Sequence, residues 1–159
     1  MSDQFSDETD GKPEAAAPAR GSQKPKMKWL PVTALPHIVS QIDGLLAADN
    51  KNYQALQEAR LRPGVLDRET VDRLIRAFAA QGRELGPCQE QLLRWRNSVQ
   101  SDAQRDELKK LDQRLEQIRG VITSVLSLAS EVKAATPRRA SGSRSRAPIL
   151  PFPRIDIFK

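Results

Sequence analysis

Apolar residues recur at helical spacing in three stretches of the chain, and the last stretch has the most regular pattern. Between residues 102 and 134 the spacing alternates between three and four throughout, which is typical of a coiled-coil-like seam. Ser101 and Gln104 form a capping box at its start. The stretch predicts a helix about 50 Å long. Its seam contains Leu108, Leu111, Leu115, Ile118, Ile122, Val125, Ala129 and Val132.

The first stretch predicts a helix over residues 34–62, with Thr33 as its N-cap. Pro36 falls in the first turn, where its missing N–H is not needed. The polar run at residues 49–52 has no apolar position, so the helix can be interrupted there. The apolar positions that define the helix are Leu35, Ile38, Ile42, Leu45, Leu46, Tyr53 and Leu56.

The middle stretch predicts a helix that begins after Asp67, a good N-cap residue. Its seam repeats every seven residues, at Val71, Phe78, Leu85, Leu92 and Val99. Gly86 and Pro87 break into this seam, and a proline inside a helix costs about 3 kcal/mol. We therefore expect two collinear or bent segments, at residues 68–85 and 87–99.

Short connections between the three predicted helices favour antiparallel neighbours. The sequence thus predicts an all-α fold, an elongated antiparallel three-helix bundle over residues 33–135, with its middle helix kinked or broken at Gly86 and Pro87. A rival arrangement is a hairpin of the second and third helices that dimerises into four helices. In that arrangement the protein is a homo-oligomer.

The segments on either side of the bundle differ from it in composition. Residues 1–32 contain too few apolar residues to offset the entropy of the chain, so we expect a disordered tail. Residues 136–147 are rich in Arg, Ser and Gly, which is typical of a flexible linker. Apolar residues return in residues 148–159, together with three prolines that exclude a helix.

The net charge of +6 is concentrated near the C-terminus. Residues 136–159 contain six basic residues and one acidic residue, whereas residues 34–135 contain fifteen basic and fourteen acidic residues. A nearly neutral bundle lacks the basic face expected of a nucleic-acid-binding domain. Its mixed charges are typical of solvated helix faces.

Three features of the sequence bear on its compartment. Cys88 is the only cysteine, so an internal disulfide is excluded. The first thirty residues lack the apolar region of a signal peptide, and no run approaches the ~20 apolar residues that span a bilayer. We therefore expect a cytoplasmic protein. The bias towards Arg, Ala and Leu is typical of a GC-rich bacterial gene.

The chain has one histidine and one cysteine, which are too few to form a typical zinc site or a catalytic triad. His37 lies at the start of the first helix, where a surface or capping role is favoured, and Cys88 lies on an apolar seam as a small core residue. No nucleophile-elbow, phosphate-loop or dinucleotide-binding motif occurs. We predict a protein that is not an enzyme and that has no cofactor or metal.

Two basic–aromatic clusters, at residues 26–29 and 94–96, support an alternative function. Either cluster can stack on or clamp nucleic acid, although the favoured interpretation is that Trp95 is a core residue with arginines at its rim. The linker arginines can contact phosphate groups or anionic lipid weakly. These are Arg138, Arg139, Arg144 and Arg146.

The last twelve residues point most directly to a function. Disordered tails ordinarily avoid Ile and Phe, because exposed apolar groups gain nothing there. The segment therefore resembles a linear peptide that docks on another protein by adding a strand to a sheet or by filling a groove. The alternative is that it folds back on its own bundle, near Trp29 or the first helix. The expected partner-binding residues are Ile149, Leu150, Phe152, Ile155, Ile157 and Phe158.

These observations predict a non-enzymatic adaptor or a regulatory or assembly subunit. It would bind protein partners through its helical bundle and through the C-terminal peptide. The alternative is a nucleic-acid-associated factor that uses the basic tail and the basic–aromatic clusters. A secretion-type chaperone or a secreted substrate is a third interpretation, and no residue favours it specifically.

Overall fold

The computed structural model describes residues 28–136, and this part of the chain is helical. A 3₁₀ turn at Val32–Ala34 leads into α1 (Leu35–Leu61), which is followed by α2 (Arg68–Arg96) and α3 (Asp102–Ala135). No β-strand occurs within these residues. The predicted all-α class is confirmed.

Ion pairs between the helices show their relative directions. Two pairs link α1 to α3 in the same order along both helices, so these two helices are parallel. Two other pairs link α2 to α3 in opposite order, so α2 runs antiparallel to both. The pairs are Asp43–Arg114, Arg60–Glu131, Asp72–Lys133 and Arg96–Asp112. Because α3 packs against α1 and α2, the predicted three-helix bundle is confirmed within a single chain.

The seam of α3 lies at the centre of the core. All eight of its predicted positions are buried, and Leu128 joins them. Burying an aliphatic or aromatic side chain of this size contributes about 1.5–3 kcal/mol, which opposes the entropy of ordering the chain. The buried apolar residues of the other two helices include Leu35, Ile38, Ile42, Leu45 and Leu56, and Val71, Leu74, Phe78, Leu85, Leu92 and Trp95.

The two places where a helix was expected to be interrupted are both continuous. α1 runs without a break through residues 49–52. α2 is one helix through Gly86 and Pro87, where the pattern predicts two segments, and it ends at Arg96 rather than at residue 99. Pro87 has no N–H to donate to the carbonyl of Arg83, four positions earlier. Arg83 and Gly86 are exposed, so water can reach this part of the backbone.

The predicted N-cap of α1 is wrong. Ala34 precedes the helix, and no side chain caps it. Thr33 instead lies inside the 3₁₀ turn, which is closed by the N–H of Ala34 donating to the carbonyl of Pro31 at 3.0 Å. Pro36 does lie in the first turn of the helix, as predicted.

Asp67 caps α2, and its substitution provides a test of this helix start. Its Oδ1 accepts the backbone N–H of Thr70 at 2.6 Å, and this bond lowers the pKa of Asp67. We expect Asp67→Ala to lower the free energy of unfolding by about 1 kcal/mol. Asp67→Asn should retain most of the stability, because its amide oxygen can accept the same bond. Urea denaturation of the three proteins measures this, and equal losses in both variants would contradict the capping role.

Candidate functional site

The residues predicted to bind a partner or an anion lie outside residues 28–136. They are the six apolar residues Ile149, Leu150, Phe152, Ile155, Ile157 and Phe158, and the four arginines Arg138, Arg139, Arg144 and Arg146. Their roles stay predictions. The structure shows where the chain that carries them joins the bundle.

The two flanking segments join the bundle at different levels. Leu30 bonds to Gln91 and Trp95 near the end of α2, and Arg96 pairs with Asp112, so Leu30 lies beside the α3 residues near 112. Thr136 follows the last residue of α3, Ala135. The two points where the flanking segments join the bundle are therefore about 35 Å apart.

Side chains of α2 hold the segment that leads into the bundle. Gln91 accepts the backbone N–H of Leu30 through Oε1 at 2.8 Å and donates to the carbonyl of Leu30 through Nε2 at 3.2 Å. The indole N–H of Trp95 donates to the same carbonyl at 2.9 Å. The guanidinium of Arg94 lies 3.9 Å from the centre of the Trp29 ring, a cation–π contact. We call this arrangement the Leu30 clamp.

The Leu30 clamp occupies groups that were candidates for nucleic-acid binding. Trp95 is only 2% exposed, so a base cannot stack on it, and its prediction as a core residue is confirmed. Arg94 lies on Trp29, and Arg96 forms an ion pair with Asp112 at 3.1 Å. Most of the aromatic and cationic groups of the two clusters thus contact other parts of the bundle.

Three polar side chains lie on seams that are otherwise apolar. Asp49 and Asn52 of α1 are 1% and 2% exposed, and Gln81 of α2 is also buried. The Nε2 of Gln81 donates to Oδ2 of Asp49 at 2.5 Å, which links α1 directly to α2. Burial raises the pKa of Asp49 to about 6, although the bond from Gln81 opposes this. The Nδ2 of Asn52 has no hydrogen-bond partner among the described residues.

The burial of Asp49 and Asn52 was not predicted, although the spacing along α1 contains a signal for it. The seam of α1 continues from Ile42 and Leu45 through Asp49 and Asn52 to Leu56, in steps of three and four. A polar residue in such a step faces the core whatever its hydropathy. The polar run was instead interpreted as an interruption of the helix.

An open groove lies between α1 and α3. Its lining residues are at positions 46–53 of α1 and 117–124 of α3, which is about 10 Å along each helix. Two ion pairs join the helices beyond it: Nε of Arg114 is 2.6 Å from Oδ1 of Asp43, and Nη1 of Arg60 is 3.6 Å from Oε2 of Glu131. We call the surface formed by the lining residues the α1–α3 groove.

The α1–α3 groove has an apolar floor and a polar rim, with a volume of about 460 Å³. Leu46, Tyr53 and Val121 are half-buried and pack against the core from this side. The remaining lining residues are Asn50, Gln117, Gly120 and Ser124. No atom lies within 4 Å of a Cβ built at Gly120, so this position leaves space for a bound side chain. The groove is therefore shaped to hold a chain that presents apolar side chains.

The single histidine and the single cysteine lie where the sequence predicts. His37 is exposed at the start of α1. Cys88 is buried, and this burial, followed by the nearby Glu84 carboxylate, raises the pKa of its thiol to about 12. Such a thiol is protonated and unreactive at neutral pH.

Residues 28–136 contain neither a metal-binding cluster nor a membrane-spanning helix. No group of three or more His, Cys, Asp or Glu side chains in this range could hold a metal ion. No helix in it is long and apolar enough to cross a membrane.

Comparisons with known proteins do not provide a relative from which a function could be transferred. The Leu30 clamp, the polar cluster and the α1–α3 groove are therefore interpreted from their own chemistry. No protein-family model, no curated protein and no solved structure matches this chain.

Proposed function

We propose that the protein is a non-enzymatic adaptor or regulatory subunit that binds another protein through residues 148–159. The observation that supports this is the separation of the two points where the flanking segments join the bundle, about 35 Å. A rigid bundle of this kind would hold two bound partners, one near each attachment point, at a fixed distance from each other. Two modest contacts on one chain raise the overall affinity through effective concentration.

The composition of residues 148–159 supports peptide docking. Pro148, Pro151 and Pro153 favour an extended backbone, which a partner's sheet edge or groove can bind. Ile155 and Ile157 would then lie on the same face of the extended chain. An apolar peptide of this kind gains free energy only when a surface covers it.

The distance from Thr136 disfavours one alternative, in which this segment covers Trp29. Residues 137–147 span at most about 40 Å when fully extended. Trp29 lies beside Arg94, about 35 Å along the bundle from Thr136, so the linker would have to be almost fully extended to reach it. It also contacts Arg94 already. Of the two fold-back surfaces that the sequence suggests, only the one on α1 is within easy reach.

We rank nucleic acid below protein as the partner, because the basic–aromatic clusters are engaged in the fold. The remaining route to nucleic acid is the four linker arginines at positions 138, 139, 144 and 146. The proposal places the protein in the cytoplasm, since a chain with a single, buried cysteine needs no disulfide. Self-association through the outer faces of α2 and α3 is a secondary proposal.

A pull-down with the full-length protein tests the proposed function. The bait is compared with a variant that carries Phe152→Ala, Ile155→Ala and Phe158→Ala, and the captured proteins are identified by mass spectrometry. A control variant carries Arg138→Ser, Arg139→Ser and Arg144→Ser, which changes the tail without removing apolar side chains. We expect the first variant to lose one stoichiometric protein that the control retains.

Two other outcomes would contradict the proposal. An unchanged set of captured proteins would move recognition from the tail to the helical faces. Nucleic acid that is captured by the natural chain and lost with the arginine control, in a salt-dependent manner, would favour the alternative function.

A further inference from the structure

We propose that the α1–α3 groove binds residues 148–159 of the same chain, and that a partner has to displace them from it. This regulation rests on the proposed function, because it concerns the same C-terminal segment. The groove and the partner thus compete for the same segment, residues 148–159. Three observations support this: the distance from the end of α3 to the groove, the residues that line the groove, and a Leu-Pro step that the bundle already binds at Leu30.

The groove lies within reach of the point where the chain leaves the bundle. Ser124, the lining residue nearest to that point, is eleven residues, or about 16 Å, before Ala135, the last residue of α3. Val121, near the middle, is about 20 Å from that end. A flexible linker of eleven residues has a root-mean-square length of about 18 Å and a maximum of about 40 Å. Residue 148 therefore reaches the groove without strain.

The groove holds a short part of the apolar segment. Its lining residues extend about 10 Å along each helix, which is the length of about three residues of extended chain. Leu150, Pro151 and Phe152 fit this length. The segment would pass Arg60 and Glu131 before it enters the groove and would run antiparallel to both helices.

The Leu30 clamp shows how this bundle binds a similar sequence. Residues 29–32 read Trp-Leu-Pro-Val, and residues 149–152 read Ile-Leu-Pro-Phe. In both segments a Leu-Pro step lies between two large apolar side chains. At Leu30 the amide of Gln91 bonds both backbone groups of the residue before the proline. Asn50 and Gln117 carry the same amide group on the rim of the groove.

The floor of the groove provides the apolar contact. Leu46, Tyr53 and Val121 are already half-buried, so a covering segment removes their remaining apolar surface from water. The open space at Gly120 accommodates a bulky side chain such as that of Phe152. When a partner removes the segment, the polar residues of the rim can form hydrogen bonds with water.

A partner can bind only those chains whose segment is free of the groove. The apparent affinity for the partner is therefore the intrinsic affinity multiplied by the fraction of chains with a free segment. If the segment is bound nine-tenths of the time, releasing it strengthens partner binding about tenfold. This is an autoinhibitory contact that competes with the partner for one peptide.

A spin label on the last residue tests this contact in the full chain. Lys159→Cys provides a single reactive thiol, because Cys88 is buried and its thiol pKa is about 12. A nitroxide attached there broadens the amide signals of residues that it approaches. We expect selective broadening at Leu46, Tyr53 and Val121. We also expect its loss after Gly120→Leu, which fills the groove.

Gly44→Leu is the matched control for the blocking variant. Gly44 and Gly120 are both exposed helical glycines, and no atom lies within 4 Å of a Cβ at either position. Only Gly120 lines the groove. The control should therefore keep the broadening, and both variants should remain folded.

Three results would overturn the inference. The first is no broadening, or broadening spread evenly over the bundle. The second is broadening that Gly120→Leu leaves unchanged. The third is broadening of an unlabelled, isotope-enriched chain by a labelled chain mixed with it, since a second copy would then be the occupant.

The inference and the proposed function fail in different ways. If the groove shows no contact while the pull-down still depends on Phe152, Ile155 and Phe158, only the intramolecular contact is rejected. If the contact is present and no captured protein depends on the tail, only the adaptor function is rejected. If both hold, Gly120→Leu should capture the partner about tenfold more strongly than Gly44→Leu.

Discussion

Asp49→Asn should raise the free energy of unfolding at pH 7 by about 1–3 kcal/mol. In the natural chain this carboxyl is 1% exposed, and burial raises its pKa from 3.8 to about 6. At pH 7 the folded protein therefore keeps a charged group in its core. Asparagine removes the charge, and its amide oxygen can still accept the hydrogen bond from Gln81.

The same carboxyl predicts how stability depends on pH. Because the pKa of Asp49 is higher in the folded than in the unfolded chain, the folded state binds the proton more tightly. The resulting stabilisation is complete below pH 3.8 and is lost as the pH rises to about 6. The difference between the two pKa values corresponds to about 3 kcal/mol. Asp49→Asn should remove this part of the pH dependence.

Guanidinium denaturation between pH 4 and pH 7.5 measures both effects. The control is Asp106→Asn, an exposed carboxylate on α3 whose loss should change stability by less than about 0.5 kcal/mol. Asp67 has a lowered pKa, so it contributes in the opposite direction, mainly below pH 4. A large loss of stability in Asp49→Asn at pH 7 would show that the charge itself is needed in the core.

Trp95→Ala should lower the free energy of unfolding by about 3–5 kcal/mol. Trp95 is among the largest fully buried side chains, and its indole N–H also holds the carbonyl of Leu30. Truncation leaves a cavity in the core and removes one of the bonds of the Leu30 clamp. Trp95→Phe should cost less, because it keeps most of the packing and loses mainly the hydrogen bond.

Leu93→Ala on the same helix is the control, since Leu93 is 55% exposed. It should change stability by less than about 0.5 kcal/mol. In Trp95→Ala the only remaining tryptophan is Trp29, so its fluorescence reports on the Leu30 clamp. We expect a red shift before global unfolding. A loss of less than about 1 kcal/mol would contradict the central packing role of Trp95.

Local spacing was sufficient to predict most of the fold. The seam of α3 needs only its own residues to be recognised, and all its predicted positions are buried. The cap at Ser101 also depends on neighbours: its Oγ accepts the N–H of Gln104 at 3.2 Å. In return, Oε1 of Gln104 accepts the N–H of Gln100, rather than that of Ser101.

The features that the sequence did not predict depend on distant partners. Asp49 meets Gln81 across 32 positions, and Leu30 meets Gln91 across 61. The spacing along α1 indicates that Asp49 faces the core, but no local pattern indicates which distant residue either Asp49 or Leu30 meets. The α1–α3 groove likewise appears only when the two parallel helices are placed side by side. The continuity of α2 through Pro87 was also not predicted, because it depends on the exposure of that helical turn to solvent.

The polar cluster bears on which arrangement of the three helices the bundle adopts. Apolar seams of similar spacing can pack in more than one register. The bond from Gln81 to Asp49 forms in the observed register of α1 against α2. A shift of either helix would leave a buried carboxylate without its donor, and such a group is costly. We infer that Asp49 lowers stability at neutral pH and selects the arrangement of the helices.

The most direct test of the adaptor function is competition by a synthetic peptide of residues 148–159. The partner captured by the full-length chain is bound to it, and the peptide is added in excess. A control peptide carries Phe152→Ala, Ile155→Ala and Phe158→Ala. The proposal predicts that the natural peptide releases the partner and that the control peptide does not. A partner that stays bound in both cases would show that the helical faces, and not the C-terminal segment, carry recognition.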